Sequence, residues 1–222
     1  MSIKILVMSC DKNYDIFDAF HHCMEKYWKN HPEIIYSLET FTNPYYKTIN
    51  KNIQLEKWSK RVLETVKEID ADHILFMIDD LFLREQVDNQ KIIELCKLVK
   101  DNIAALNLEP SFDPLDKPLT KDIMIRNRLG NYKTSCMCQI WQKKAMLKLF
   151  NIELNPWQFE KANMGLSYDF LISKNGDFLK FGKKRNEWRF GLVKGKWTKE
   201  CKEFLESENI PMNYIIRGFI KE

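Results

Sequence analysis

The sequence predicts an α/β fold, with a mostly parallel sheet covered by helices on both faces. Three short apolar runs, at 3–8, 34–39 and 73–78, have the length and composition of buried strands. Helical periodicity fills the intervals between them, and this alternation of strand and helix is typical of parallel sheets. No repeat, linker or low-complexity tract interrupts the 222 residues, so we expect a single domain over 1–222.

The predicted elements follow one another along the chain. They are a strand at 3–8, a helix from Asp15 to the Asn30-His31-Pro32 stop, a strand at 34–39, a helix at 58–69, a strand at 73–78, a helix at 89–101 and a strand at 103–108. Prolines 110, 114 and 118 then break the rhythm. Beyond them we predict strand and irregular structure at 123–140, a helix at 141–150, and short strands after 165 with turns at Gly176 and Gly195.

Glycine is scarce: the chain has only seven, and the first of them is Gly130. A dinucleotide-binding G-x-G-x-x-G turn and a P-loop both need glycine where the backbone approaches phosphate, close to the first strand. The first 129 residues therefore exclude both motifs.

Composition and charge narrow the class of protein further. Apolar residues at 45% and charged residues at 30% indicate a globular chain. A net charge of +4 is too small to predict nucleic-acid binding, but it allows contact with phosphates or an anionic membrane surface. Six cysteines without a C-x-x-C pair, and the lack of a signal peptide or a long apolar stretch, predict reduced thiols and a cytoplasmic protein.

Two adjacent carboxylates, Asp79 and Asp80, directly follow the third apolar run. In open α/β sheets ligands bind at the carboxyl ends of the strands, so this pair is predicted to lie at the binding edge. Neighbouring acids repel each other unless a cation or hydrogen-bond donors offset the charge, and their oxygens suit Mn²⁺ or Mg²⁺ carrying a diphosphate. The pair predicts a metal site, with a helix cap or turn as the alternative.

Polar residues also follow the first strand, and three of them are candidates for nucleotide binding: Ser9, Asp11 and Tyr14. Asp11 would accept a hydrogen bond from a ribose hydroxyl or a base, while Tyr14 would stack on the base. The alternative is ordinary loop chemistry, in which Asp11 or Asp15 caps the next helix.

Trp157 and Glu160 lie three residues apart, on one side of a helical turn that Pro156 begins. A ring face packs against the C–H groups of a sugar, and a carboxylate can remove a proton from a hydroxyl. This pattern favours an acceptor site, with a buried tryptophan and an ion-paired glutamate as the alternative. Upstream, Ser135 and Gln139 either line the same pocket or simply pack.

Two further groups are less specific. Cys136 and Cys138 lack the spacing and the second ligand pair of a zinc site, so a structural role is favoured. The basic and aromatic residues at 183–189 would bind a diphosphate or lipid headgroups, although a solvated charged face is the favoured interpretation.

Taken in chain order, these motifs resemble those of small bacterial glycosyltransferases of the GT-A type from capsule and lipopolysaccharide gene clusters. The resemblance spans 3–165 and rests on Ser9-Cys10-Asp11, Asp79-Asp80, Ser135 to Trp141 and Pro156 to Glu160. It implies a Rossmann-like αβα sandwich with a smaller mixed C-terminal part, a nucleotide-sugar half at about 1–110 and an acceptor half at about 111–222. The usual acidic motif in this class is Asp-x-Asp, whereas here the two acids are adjacent.

The resulting hypothesis is transfer of a sugar from a nucleotide-diphosphate sugar to a hydroxyl of a glycan or lipid-linked acceptor, at or near the inner membrane face. Glu160 would be the base and Asp80 would assist catalysis by holding the cation with Asp79. Inversion is expected because a single base suffices. With no glycine cradle, the diphosphate charge would be met by this cation or by basic side chains such as Arg126, Arg128 and Lys184. The alternatives are a metal-dependent nucleotidyl or phosphoryl transferase and a non-enzymatic binding protein.

Overall fold

The computed structural model describes residues 1–110, 113–127, 133–162, 167–176, 178–181 and 191–221. Its alternating strands and helices confirm the predicted α/β class. Within these residues the chain forms a nine-stranded sheet, six α-helices and a separate two-stranded hairpin. None of the described helices has the length and hydrophobicity needed to cross a membrane.

The strands are β1 Ile3–Met8, β2 Ile34–Leu38, β3 Lys47–Asn50, β4 His73–Ile78, β5 Ile103–Asn107, β6 Lys117–Pro118, β7 Ile123–Ile125, β8 Gln139–Gln142, β9 Asp169–Ser173, β10 Leu192–Val193 and β11 Lys196–Trp197. The α-helices are α1 Phe17–Tyr27, α2 Trp58–Glu68, α3 Asn89–Cys96, α4 Lys143–Leu149, α5 Pro156–Lys161 and α6 Lys199–Ser207. Short 3₁₀ helices cover Asp11–Ile16, Leu55–Lys57 and Tyr214–Ile216.

The large sheet has the strand order β3-β2-β1-β4-β8-β5-β9-β7-β6. Among its described strands, β7 and β8 run against the direction shared by the others. Strand β8 lies between β4 and β5, and its first residue, Gln139, is opposite Phe76 on one side and Asn107 on the other. The segment that precedes β8 therefore enters the sheet at the edge where β4 and β5 end.

Each face of the sheet is covered by its own hydrophobic core. Alternate residues of β1 divide between the two, with Ile5 and Val7 on one side and Leu6 and Met8 on the other. Helices α1, α3 and α6 contribute to the first core, and α2, α4 and α5 contribute to the second. This is a three-layer αβα arrangement, in which the strand ends are the parts of the sheet left open to a ligand.

Several local predictions are confirmed. Helix α5 begins at Pro156, and Asn155 caps it with a capping box completed by Gln158. Gly176 and Gly195 adopt positive φ angles of 68° and 73°, as turns require. All six cysteines are free thiols.

The predicted helix at 141–150 is wrong in its first part, because Trp141 and Gln142 belong to strand β8 and helix α4 starts only at Lys143. Helix α4 folds back over the sheet, so the Trp141 and Phe150 rings meet at a centroid distance of 5.5 Å across the strand–helix junction. Trp141 pairs with Ile74 of β4 and Ala105 of β5, so sheet pairing fixes its backbone as a strand. Strand β3 and helix α6 were not predicted.

Gly191 is packed too tightly to accept a side chain. A Cβ atom there would overlap the buried Phe82 ring and lie 3.2 Å from Cys201 Sγ. We expect Gly191→Ala to lower the free energy of unfolding by roughly 1–3 kcal/mol in urea denaturation, because overpacking forces the core to shift. The exposed Lys196→Ala in the neighbouring strand is the control, and equal stability of the two variants would contradict the close packing.

Candidate active site

The carboxylate of Asp79 is buried at the carboxyl end of β4, next to the loop that follows β1. Its side chain accepts a hydrogen bond from Ser9 Oγ, and Asn13 Nδ2 donates to its two oxygens at 3.0 and 3.1 Å. Burial raises the pKa of Asp79 to about 6, although these hydrogen bonds oppose the shift. Neutral donors therefore offset only part of the cost of burying this charge.

Asp80 is half-buried beside Asp79. Burial, together with the charge of Asp79, raises its pKa to about 7, while the Leu192 N–H donates to its carboxylate and lowers it. The Asp80 carbonyl accepts a hydrogen bond from the Gly191 N–H at 2.8 Å. The acidic pair is thus held between the β1 loop and the 191–192 backbone, and its two charges repel each other.

Asp11 lies at the same edge, but its side chain is engaged by the loop that follows β2. It accepts hydrogen bonds from the Thr40 N–H at 3.1 Å, from Thr40 Oγ1 at 2.6 Å and from the Phe41 N–H at 3.1 Å. Burial would raise the pKa of Asp11, but these donors outweigh it and lower the pKa. Asp11 therefore joins the β1 and β2 loops, and neither Asp11 nor Asp15 caps the helix that follows. The nucleotide contact of Asp11 stays a prediction.

A buried arginine, Arg61, stabilises the loops that follow β1 and β2. Arg61, in the first turns of α2, pairs with Glu39 and donates to the Ser9 carbonyl at 2.8 Å. Glu39 also accepts a hydrogen bond from the Asp11 N–H at 2.7 Å. The backbone from Ser9 to Asp11 is consequently fixed by a charged side chain that is 1% exposed.

Tyr14 projects from the 3₁₀ helix after β1 and is 54% exposed. Its ring lies 6.3 Å from that of Phe41, which is 48% exposed, with an angle of 59° between the planes. Two exposed aromatic rings at a strand edge form a surface on which a flat base can stack.

Glu160 contacts the segment that leads into β8. Its Oε1 accepts a hydrogen bond from the Cys136 N–H at 2.7 Å and a longer one from Ser135 Oγ at 3.4 Å. Burial raises the pKa of Glu160, although both hydrogen bonds oppose the shift. No described group donates to its second oxygen, Oε2, which leaves that oxygen able to accept a proton.

The other predicted acceptor residues differ in exposure. Trp157 is 61% exposed on α5, one turn before Glu160. Gln139 is fully buried, and its Nε2 donates to the Lys133 carbonyl at 3.1 Å. Gln139 therefore packs between β4 and β5 with no exposed surface, and its contact with an acceptor stays a prediction.

Of the predicted basic ligands of a diphosphate, Arg126 is the one that lies within the described residues, and it is far from the acidic pair. Arg126 is buried after β7, where it pairs with Asp116 at 3.6 Å. Strand β7 is four strand positions from β4, a separation of roughly 19 Å, so Arg126 is corrected as a ligand for a phosphate at Asp79. Arg128 and Lys184, like the rest of 183–189, lie outside the described residues.

Three residues of this edge were missed by sequence reasoning: Asn13, Arg61 and Arg217. Arg61 occurs on the apolar face of the predicted α2, and a charge in that position was an available signal. Arg217 comes from the C-terminal segment and bonds to Asp15. No local pattern could link it to β1.

The carboxylates at this edge fit a divalent cation that is coordinated partly by the protein and partly by a phosphate. Within the described ranges, no three His, Cys, Asp or Glu side chains converge to hold a metal by themselves. Mg²⁺ typically takes one or two carboxylates plus substrate phosphates and water, which Asp79 and Asp80 would satisfy. Burial raises the pKa of both carboxyls, and the charge of Asp79 raises that of Asp80 further, so a bound cation would stabilise their ionised forms.

Comparisons with known proteins support the fold class and do not identify a family. No protein-family model matches the chain, and no curated protein sequence matches it. Among solved structures, S. aureus TarS aligns with a TM-score of 0.51 at 12% identity, over 78% of this chain and 35% of the TarS chain. A TarS fragment in complex with UDP-GlcNAc aligns with a TM-score of 0.51 at 13% identity, over 87% of this chain and 61% of that one.

A synthetase for CMP-2-keto-3-deoxy-manno-octonic acid, complexed with CTP, aligns with a TM-score of 0.49 at 10% identity, over 78% of this chain and 88% of that chain. At such identities the TarS matches show a shared fold. The present chain spans between about a third and three fifths of the TarS chains it matches.

Arg61 allows a direct test of the loop anchor. We expect Arg61→Met to lower the free energy of unfolding by roughly 3–5 kcal/mol, because it leaves the Glu39 carboxylate without its partner. Lys60, on the same helix as Arg61, is exposed and pairs with Glu153, which lies between α4 and α5. Lys60→Met should therefore change stability little. Urea denaturation of both variants compares them, and equal losses would contradict an anchoring role for Arg61.

Proposed function

We propose that this protein transfers a sugar from a nucleotide-diphosphate sugar to a hydroxyl of a glycan or lipid-linked acceptor, as in cell-surface polysaccharide synthesis, with inversion. The observation that carries the proposal is the Asp79–Asp80 pair at the carboxyl end of β4, with Glu160 contacting the segment that enters the same edge. The fold shared with TarS, one fragment of which binds UDP-GlcNAc, supports it.

The donor would lie across the ends of β1, β2 and β4. Tyr14 and Phe41 would receive the base, since both rings are exposed and close together. The diphosphate would then extend toward Asp79 and Asp80. Those two residues would hold a divalent cation, Mn²⁺ or Mg²⁺, which when bound neutralises the charge on the departing diphosphate.

The acceptor would lie against α5. Trp157 offers an exposed ring on which a sugar can pack, and Glu160 follows it by one helical turn. Glu160 Oε2 would take the proton of the acceptor hydroxyl. The hydroxyl oxygen would attack the anomeric carbon at the same time, and the bond from that carbon to the diphosphate would break. Because this is a single displacement, the configuration at the anomeric carbon would invert. Ser135 would orient Glu160 through the hydrogen bond to Oε1.

A lipid-linked acceptor would bring the protein to the inner face of a membrane. The same site geometry would serve a soluble glycan, and the acceptor half at about 111–222 would then bind it directly. Both arrangements use the same base and donor site.

Glu160→Gln keeps the size of the side chain and removes its basicity. We expect turnover to fall by ~10²–10⁴-fold with donor affinity nearly intact. Burial raises the pKa of Glu160 above its ordinary 4.5. The base is active only when ionised, so wild-type kcat should decline as pH falls through that raised value.

Glu153→Gln, a change of an exposed glutamate just before α5, is the matched control and should retain full turnover. An active Glu160→Gln enzyme with an unchanged pH profile would remove Glu160 from the mechanism. The configuration of the product, read by NMR, tests inversion separately.

Asp80→Asn removes one carboxylate of the proposed cation site. We expect calorimetry to show donor and Mn²⁺ affinity weakened together, each by roughly tenfold or more. Thermal stability should not fall, because the substitution relieves the repulsion between Asp79 and Asp80. Asp70→Asn, an exposed change at the opposite end of β4, is the control.

Unchanged binding of both Mn²⁺ and donor by Asp80→Asn would remove the cation from the scheme.

A thermal-shift screen of nucleoside diphosphates with and without Mn²⁺ identifies the donor class. Release of diphosphate from nucleoside triphosphates, with nucleotide sugars inert, would instead indicate nucleotidyl transfer. If no nucleotide raises the melting temperature, a binding protein becomes the better interpretation.

A further inference from the structure

The C-terminal segment folds back onto the hairpin and reaches the candidate site. The Trp197 N–H donates to the Gly218 carbonyl at 3.0 Å, and the Ile220 N–H donates to the Trp197 carbonyl at 3.0 Å. The Tyr214 ring packs edge-on against the fully buried Trp197 ring, with 5.5 Å between the ring centroids. These contacts fix the backbone on both sides of Arg217.

Arg217 extends from this segment into the loop after β1. Its Nε donates to Asp15 Oδ2 at 2.7 Å, and its Nη2 also bonds to Asp15 Oδ1. The same Nη2 contacts the Lys12 carbonyl at 2.8 Å and Asn13 Oδ1 at 3.1 Å. Arg217 therefore binds three residues, at positions 12, 13 and 15, of the segment that supplies donors to Asp79.

The contact with Asn13 determines how its amide is oriented. A guanidinium has only donors and an ionised carboxylate has only acceptors. Since Asn13 lies between Arg217 and Asp79, its amide satisfies both neighbours in one orientation, with Oδ1 toward Arg217 and Nδ2 toward Asp79. With the amide reversed, the nitrogen would face the guanidinium and the oxygen would face the carboxylate.

We infer that Arg217 is a positioning residue of the donor site, acting through Asn13 to hold the Asp79 carboxylate in the geometry that binds the cation and diphosphate. The inference rests on the proposed function. The guanidinium donates to Asp15 and the Lys12 carbonyl, and its charge also acts on Asp79 and Asp80. Arg217→Lys keeps that charge, so the effect that this variant tests passes through the loop. The inference makes the segment around 214–220 part of the active site, although about 200 residues separate Arg217 from Asn13.

Lysine cannot replace arginine in this arrangement. The planar guanidinium presents several donors in a fixed fork, and here it reaches a carboxylate, a carbonyl and an amide together. Nη2 contacts the Lys12 carbonyl, Asn13 Oδ1 and Asp15 Oδ1, and the second bond, from Nε to Asp15 Oδ2, fixes it in that place. An ammonium group on a flexible stem lacks this second bond and is not held in the same position. Arg217→Lys therefore keeps the charge but frees the Asn13 amide to rotate.

Calorimetry on the full chain tests the inference, with UDP, GDP, ADP and CDP as probes, each in the presence of Mn²⁺. For the nucleotide that wild-type protein binds best, we expect Arg217→Lys and Asn13→Ala each to weaken binding roughly tenfold. In the Asn13→Ala background, Arg217→Lys should cause no further loss, because the two residues act in one chain of contacts. Ile215→Ser changes a residue of the same segment that is 93% exposed and should leave affinity unchanged.

Melting temperatures of all variants separate positioning from folding. A lower melting temperature for Arg217→Lys with unchanged donor affinity would make the arginine a structural residue only and overturn the inference. Losses that add in the double variant would overturn it as well, since Arg217 would then act independently of Asn13. If wild-type protein binds none of the four nucleotides, the proposed function itself fails and the inference fails with it.

Discussion

The candidate site depends on one buried charge, the carboxylate of Asp79 at the end of β4. A carboxylate removed from water must be compensated by donors or by opposite charge, or its ionised form becomes costly. Here the donors come from Ser9 and Asn13, both in the loop after β1. Each of these residues is itself held by an arginine, Ser9 through its carbonyl by Arg61 and Asn13 through its amide by Arg217. The loop conformation, the position of α2 and the course of the C-terminal segment are thus coupled to the same carboxylate.

Much of the sheet could be predicted from the sequence because its central strands are short apolar runs bounded by polar residues. The run Ile3–Met8 and the run His73–Ile78 are both buried on two faces, and each ends directly in the polar residues that form the candidate site. Polar residues after a buried strand must lie at its carboxyl end, so Ser9, Asp11, Asp79 and Asp80 were brought to one edge by topology alone. The capping residues of α5 were equally local signals.

The remaining features depend on contacts between distant parts of the chain. Strand β8 begins and ends with glutamine, and it is recognisable as a strand only because β4 and β5 pair with it on both sides. Gln139 appears polar and available in the sequence, yet it occupies the middle of the sheet, where it is fully buried. The roles of Asp11 and Arg217 are likewise fixed by partners in other loops, which no spacing within the sequence specifies.

The absence of glycine before Gly130 has a consequence for how a diphosphate would be held. Without a backbone cradle, the phosphate charge must be met by side chains or by a cation.

The described residues of this edge carry five carboxylates, at Asp11, Asp15, Glu39, Asp79 and Asp80. The two arginines in their midst are already engaged, Arg61 by Glu39 and Arg217 by Asp15. Arg126 lies several strands away, against Asp116. With Lys12 counted as well, the five carboxylates still outnumber the three cations among the described residues of this edge. A diphosphate would therefore meet net negative charge from these residues, and the same acids are suited to hold a divalent cation between themselves and the phosphates. Among the described residues, the electrostatics favour a metal-dependent donor site over one built from basic side chains.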